Sequence, residues 1–217
     1  MNLKRNKILR TLVYCYRNYK EKHSYNIGKG NKKYISGIRV SSRIQIRGNG
    51  NQVIIEKNAV LRNSLIKISG NNNIVRIGCE SYVSGAELWV EDNNCRLELG
   101  KNAFVGHHSH LACTEDGSQL LIGSDGLISS YVQIRTGDSH SILNMEGQRI
   151  NHAKSVYISN HVWIGEGAKI LKGVNIDEDS IVSTGAIVTS SFGKNVIIGG
   201  TPAKILKENI TWDSKRI

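Results

Sequence analysis

The feature that most constrains this chain is a hydrophobic beat of six. Ile158, Ile164, Ile170, Ile176, Val182 and Val188 recur at that interval without a slip. Neither the 3.6-residue period of a helix nor the two-residue alternation of a flat sheet generates it. Four positions after most of them stands a residue that fits a narrow corner: Val162, Ala168, Val174, Ser180 and Ala186. Three short strands and three tight turns consume about 18 residues, so the run predicts a triangular coil whose strands stack in parallel.

The earlier part of the chain repeats at a longer interval. The blocks GNGNQVIIEKNAV, GNNNIVRIGCESYV, DNNCRLELGKNAFV and DGSQLLIGSDGLI lie over one another, with Ile55, Ile77, Leu99 and Ile122 in register. Leu61, Val83, Val105 and Ile128 follow six residues after each. These longer coils need wider corners, which Asn and Gly supply through left-handed backbone conformations. The fold class is therefore all-β: a left-handed parallel β-helix, accepted against the usual right-handed crossover rule because the hexads are so regular. Composition agrees, since a narrow solenoid filled by β-branched residues needs few rings, and aromatics make up 6% of the 217 residues.

The organisation that follows is a basic N-terminal extension over 1–24, a solenoid over 25–201 and a C-terminal cap and tail over 202–217. The extension carries Lys4, Arg5, Lys7, Arg10, Arg17, Lys20 and Lys22 against Glu21, with a loose helical stripe of Leu3, Ile8, Leu12, Val13 and Tyr16. A short surface helix is the plain reading, and attachment to an anionic surface is the alternative. Arg10, Tyr14, Tyr16 and Arg17 interrupt its apolar stretch, which argues against a signal peptide. No stretch approaches the roughly 20 apolar residues of a membrane span. Pro202 is expected to end the last coil, with Ala203 through Leu206 as a short capping turn. Between about 135 and 157 the hexad breaks into a polar excursion, where repeat proteins place recognition and chemistry.

Net charge is +11, from 29 Lys and Arg against 18 acidic residues. Such a field favours an anionic partner: nucleic acid, acidic polysaccharide, phosphorylated cofactor or membrane surface. Aromatic–basic interleaving and recognised nucleic-acid motifs are absent, so no specific nucleic-acid partner is expected. Cys15, Cys79, Cys95 and Cys113 match no zinc or redox spacing and read as reduced thiols of a cytoplasmic protein. Cys113 is expected to be filler rather than a nucleophile. His107, His108 and His110 invite a metal reading, but on a strand His108 and His110 share one face while His107 opposes them, a poor start for closed zinc geometry. No metal is expected. They fit better as lining of a groove or as a ladder on the solvent face.

The hexads, TGDSHSI, HVWIGEGAKILKGV and IGGTPAKIL together resemble the hexapeptide-repeat acyltransferases. Within them the chain is most similar to the bacterial O-acetyltransferases that modify sialic-acid-containing capsular polysaccharides, over about residues 48 to 213, including INHAKSVYISNHVWIG and KENITW. The resemblance implies a homotrimer with acetyl-CoA in the groove between neighbouring prisms, His140 as general base, and Trp163 where donor and acceptor meet. Gly200, Thr201, Pro202, Ala203 and Lys204, preceded by Gly199, resemble the family's terminal CoA-binding segment.

The residues themselves suit those roles. A sugar hydroxyl is a poor nucleophile near neutral pH, and an imidazole can take its proton. Asp138 either orients His140 or forms the turn. Trp163, one position before inward Ile164, points outward and fits either a ligand or subunit packing; His161 shares its face. Gly165, Gly185 and Ala186 leave room for a pantetheine arm, while Lys204 and Lys207 suit phosphates. No G-x-x-x-x-G-K-[ST] occurs, so nucleotide hydrolysis has no support. Thr189 stands where some relatives carry a larger aromatic, so donor or acceptor geometry can differ here. The function expected is acetyl transfer from acetyl-CoA to an anionic, capsular or other surface glycan in the cytoplasm, at the membrane's inner face or with capsule-synthesis machinery. The rivals are a non-catalytic glycan-binding solenoid and an acetyltransferase for a small sugar, antibiotic or serine.

Overall fold

The structure, a computed structural model, describes residues 23–215; the basic extension lies outside them except for its last two residues, and so does Cys15. Three sheets of eight, seven and nine strands, parallel except for the last strand of the third, form the three faces of a prism. Up to Ile181–Val182 each strand pairs with the strand three places along the chain, so every turn of the solenoid adds one rung to each face, and Ile181–Val182 then pairs with Val196–Gly200, two places on. The first face begins with Tyr25–Ile27, the second with Lys32–Ile35 and the third with Ile38–Val40.

The six-residue beat marks the residues that fill the prism. Ile158, Ile164, Ile170, Ile176, Val182 and Val188 are all at most 2% exposed, and so are Val162, Ala168, Val174, Ser180 and Ala186 four positions on. The long early blocks contribute in the same way, with Ile55, Ile77, Leu99 and Ile122 stacked in register on the second face. Full burial of each such side chain is worth about 1.5–3 kcal/mol. Cys95 and Cys113 belong to this interior, and the hydrogen bond with neighbouring Cys95, followed by burial, raises the Cys113 thiol pKa far above its ordinary value. It is filler, as expected.

Early coils are longer because their corner between the first and second faces is wider. There Asn51 takes the backbone N–H of Asn73 on its Oδ1 (3.0 Å) and donates to Gly70 O (2.9 Å) and Asn31 Oδ1 (3.0 Å). A parallel ladder runs through Asn49, Asn71, Asn93 and Asp116. Gly48 (φ +125°) and Gly70 (φ +144°) sit at the same corner, where a Cβ would stand 1.8 Å from the carbonyl oxygen of the next coil. Only glycine closes that step.

Two expectations need correction. The segment after Pro202 is a strand, not a turn: Ala203–Glu208 pairs antiparallel with Val196–Gly200, and the Thr201–Pro202 bond between them is cis. The antiparallel strand covers an edge that a further coil would otherwise have to pair. His108 and His110 do not share a strand face either. His107 and His108 lie in the corner before the strand His110–Cys113, with His108 in the left-handed region (φ 57°). His108 stacks on Tyr131 and His110 packs edge-on to Trp89. Among the described residues no three His, Cys, Asp or Glu side chains gather where they could hold a metal ion.

Candidate active site

The excursion leaves the prism after the strand Gln133–Arg135 of the first face and rejoins it at Val156–Ile158 of the second. It projects from the corner between those faces. The coil that carries it spans 36 residues, and the next one spans 18. The loop is a small hairpin, closed by a bridge between Leu143 and Arg149 and a tip in which Asn144 takes the N–H of Gln148 on its side chain. Its tip is less polar than the sequence suggests, since Ile142, Leu143 and Ile150 are more than half exposed and Met145 is 99% exposed.

Asn151 is the knot of the loop. It is buried, and its Nδ2 donates to the backbone carbonyl of His140 (2.8 Å) and to Asp138 Oδ2 (2.9 Å). Its Oδ1 accepts from Ile142 N (2.7 Å) and Arg149 Nε (3.2 Å). Two ion pairs tie this knot to the prism. Lys172, one coil on, bonds the Asp138 carboxylate and also donates to Asn151 O (2.9 Å). Glu115, one coil before, bonds Arg149 and accepts from Ala153 N (3.1 Å). The Lys172 ammonium holds the Asp138 carboxyl below its ordinary value of 3.8; burial opposes this and Asn151 supports it. Burial likewise pushes Glu115 upward, but its bonds to Arg149 and Ala153 prevail and its pKa is lowered.

His140 stands exposed on this frame, its backbone fixed through Asn151. Among the described residues its ring makes no hydrogen bond. Asp138 does not orient it directly: that carboxylate is engaged by Lys172 and Asn151, so its part is to shape the loop. The arrangement presents an imidazole with both nitrogens open to an incoming hydroxyl.

Trp163 lies elsewhere, on the third face, pointing outward as expected and 38% exposed. It is one rung of an outer apolar column: Ile38, Val60, Tyr82, Phe104, Leu127, Trp163, Ile181 and Ile197 are successive partners in the sheet. Its Nε1 donates to Ser129 Oγ (3.3 Å). Beside it the tail folds back along the corner between the second and third faces. Asn195 and Ile210 exchange bonds, Thr211 reaches Asp179 Oδ1 (3.2 Å), and Trp212 Nε1 donates to His161 O (2.8 Å). The Trp212 ring stacks on His161 (4.3 Å between centroids, 8° between planes) and lies 6.0 Å from Trp163. His161 in turn bonds Asp179 through Nδ1 at 2.7 Å, which holds the Asp179 carboxyl below its ordinary value against the effect of burial.

Within one chain, no hydrogen bond or ring contact among the described residues joins His140 to Trp163. The loop leaves one corner of the prism while the indole lies on the face across from it. The residues expected along the donor path divide. Gly200 (φ +96°), Thr201, Pro202, Lys204 and Lys207 are exposed on the terminal hairpin, and Gly185 faces open space. Gly165, Ala186 and Ala203 are buried. A Cβ on Gly165 would strike Thr184 N at 2.6 Å, so that glycine serves coil packing. Ala186 points into the core with its N–H and C=O both bonded, and so offers an outside ligand nothing. Trp212, Asn151 and Lys172 were not singled out from sequence, although KENITW, INHAKSVYISNHVWIG and HVWIGEGAKILKGV contain them in turn.

No family model matches the chain. A polysialic acid O-acetyltransferase of Neisseria meningitidis is 35% identical over 177 residues, 81% of each chain. This chain belongs to the family of the polysialic acid O-acetyltransferases. Two solved structures of this family share its fold closely. That of the polysialic acid O-acetyltransferase OatWY superposes with a TM-score of 0.84 at 33% identity, covering 88% of this chain and 92% of the other. That of the polysialic-acid-specific acetyltransferase NeuO gives 0.82 at 30%, covering 90% and 91%. The family's O-acetyl transfer chemistry agrees with the exposed imidazole on its anchored loop.

Proposed function

We propose that this chain transfers an acetyl group from acetyl-CoA to a hydroxyl of an anionic, sialic-acid-containing surface glycan, at sites formed between the subunits of a homotrimer. The observation that carries the reading is the His140 loop, a base held by its backbone with its ring left open, in a chain of this family. His140 takes the proton of the acceptor hydroxyl as its oxygen attacks the thioester carbonyl. The new C–O bond forms, the tetrahedral oxyanion collapses, the C–S bond breaks and CoA leaves as thiolate. The proton on His140 then passes to that thiolate or to water. A single base suffices because a thiolate is a stable leaving group.

The separation of His140 from Trp163 supports the trimer. A loop that cannot meet the indole of its own prism can meet that of a neighbour. The outer apolar column on the third face, with Phe104 and Trp163 both more than a third exposed, is suited to subunit packing. Trp163 then serves packing and pocket at once, with Trp212 and His161 as the wall beside it. Lys204 and Lys207 supply charge for the phosphates of CoA, and the terminal hairpin is its binding edge.

The test is CoA release from acetyl-CoA with and without acidic capsular glycans, comparing wild type with H140A. Glycan-dependent release lowered about 10²–10⁴-fold by the substitution is expected. A folded chain that binds glycan but not acetyl-CoA refutes the transferase reading and leaves a glycan-binding solenoid. Light scattering of the eluting protein reads the subunit number, and a monomer with full activity would refute the shared site.

A further inference from the structure

The first coil breaks the inward rule that every later coil obeys. Asn26, Lys33 and Arg39 pair with Ile46, Val53 and Leu61, all buried core residues, so they occupy inward positions of the solenoid. They close the N-terminal end of the described prism with polar groups, and among the described residues no rung stacks beyond them. Lys33 and Arg39 are both exposed there, and neither meets a carboxylate among the described residues. Burial, and then the Arg39 guanidinium, lower the pKa of Lys33. Two neighbouring cations at inward positions of the first coil, with no counter-ion among the described residues, repel each other at a cost that an anion would relieve.

Their surroundings are of one sign. Residues 23–55 contain Lys29, Lys32, Lys33, Arg39, Arg43 and Arg47 and no Asp or Glu. Apolar side chains lie among them. Ile27 on the first face and Tyr34 on the second point outward and are 40% and 51% exposed, and Ile35, at the inward position opposite Ile55, is 41% exposed. A hydrophilic polyanion has use for the charges but little for the exposed Ile27 and Ile35. A bilayer rich in anionic lipid uses both, because phosphates meet the cations while aliphatic and tyrosyl groups enter the interfacial layer. We propose that the N-terminal end of the prism docks on an anionic phospholipid surface, with Lys33 and Arg39 facing the phosphates and Ile27 and Tyr34 entering the interface. The prism axis then stands off the membrane, and the His140 loop, five coils up, remains free.

The full-length protein is tested by co-sedimentation with vesicles of phosphatidylcholine containing about one-third phosphatidylglycerol, and with phosphatidylcholine alone. Wild type should partition to the anionic vesicles in a salt-dependent way and not to the neutral ones. Each cation near such a surface is worth about fivefold, so Lys33→Gln with Arg39→Gln should weaken partition about 25-fold. Ile27→Ser with Tyr34→Ser should keep low-salt binding and lose the salt-resistant part. Acetyl transfer to a soluble acceptor should be unchanged in both variants, which shows that they fold. No partition by wild type, or undiminished partition by the Gln variant, overturns the proposal. A Gln variant that loses affinity only for a soluble acidic polysaccharide also overturns it and assigns the end to glycan.

Discussion

Replacing Asn151 by Ala should disable the loop without unfolding the prism. The substitution deletes four side-chain hydrogen bonds, to His140 O, Asp138 Oδ2, Ile142 N and Arg149 Nε. At about 1 kcal/mol net for each, the upper bound is about 4 kcal/mol. His140 and Ile142 belong to exposed residues, so water recovers part of this, and about 2–3 kcal/mol of loop anchoring is lost. That shifts the equilibrium between held and released loop about 30- to 150-fold. The pairs Lys172–Asp138 and Arg149–Glu115 persist, so the base is displaced rather than lost. A displacement of about 1 Å costs about 10²-fold in rate. Steady-state CoA release should therefore show kcat down 10- to 100-fold by that principle, with the KM for acetyl-CoA nearly unchanged. The melting temperature should move little, because the loop lies outside the stacked core. Asn151→Asp should be at least as damaging, since it sets a carboxylate oxygen against Asp138 where an N–H donated. Wild-type kcat in Asn151→Ala would refute the anchoring role, as would a drop in melting temperature as large as that of a core truncation.

Ile170→Ala, at a fully buried rung, should cost about 2–5 kcal/mol in denaturant unfolding, and a cost below about 1 would mean that the inward stack is not tightly packed. Trp212→Ala removes the stack on His161 and the bond to its carbonyl. Limited proteolysis should then cut the tail near 209–215 faster and KM should rise more than kcat falls; an unchanged digest refutes the strapped tail. The Asp138 pKa is depressed below 3.8, so its bond to Lys172 is fully present above that value and is lost only as pH falls through the still lower folded pKa. Loop anchoring therefore adds no pH dependence between about pH 5 and 8, where histidine titrates. Asp138→Asn should lower the plateau of kcat without moving its acid limb, and a limb that shifts would assign it to Asp138 rather than His140.

The prism was legible because each inward position is a separate vote for the same period. An Ile every six residues has no other economical burial, so the three faces, their order and the place where the loop departs all follow from spacing. The contacts that make the site depend on relations the beat does not encode. Lys172 meets Asp138 across 34 residues and Trp212 meets His161 across 51, separations set by one long insertion and one reversed tail. The first becomes readable once the coil length is known, because Lys172 stands at the corner one turn beyond the loop. The second does not, since a tail that doubles back once has no period to betray it. Ala186 shows the opposite failure: its small size suggested a path for an outside ligand, but on a narrow solenoid small residues at corners are needed first by the core. The first coil evaded the pattern for a related reason. Among the described residues no rung stacks beyond this coil, so its inward positions are released from the apolar rule, and Asn26, Lys33 and Arg39 could be placed only by the register of their strands against the coil above.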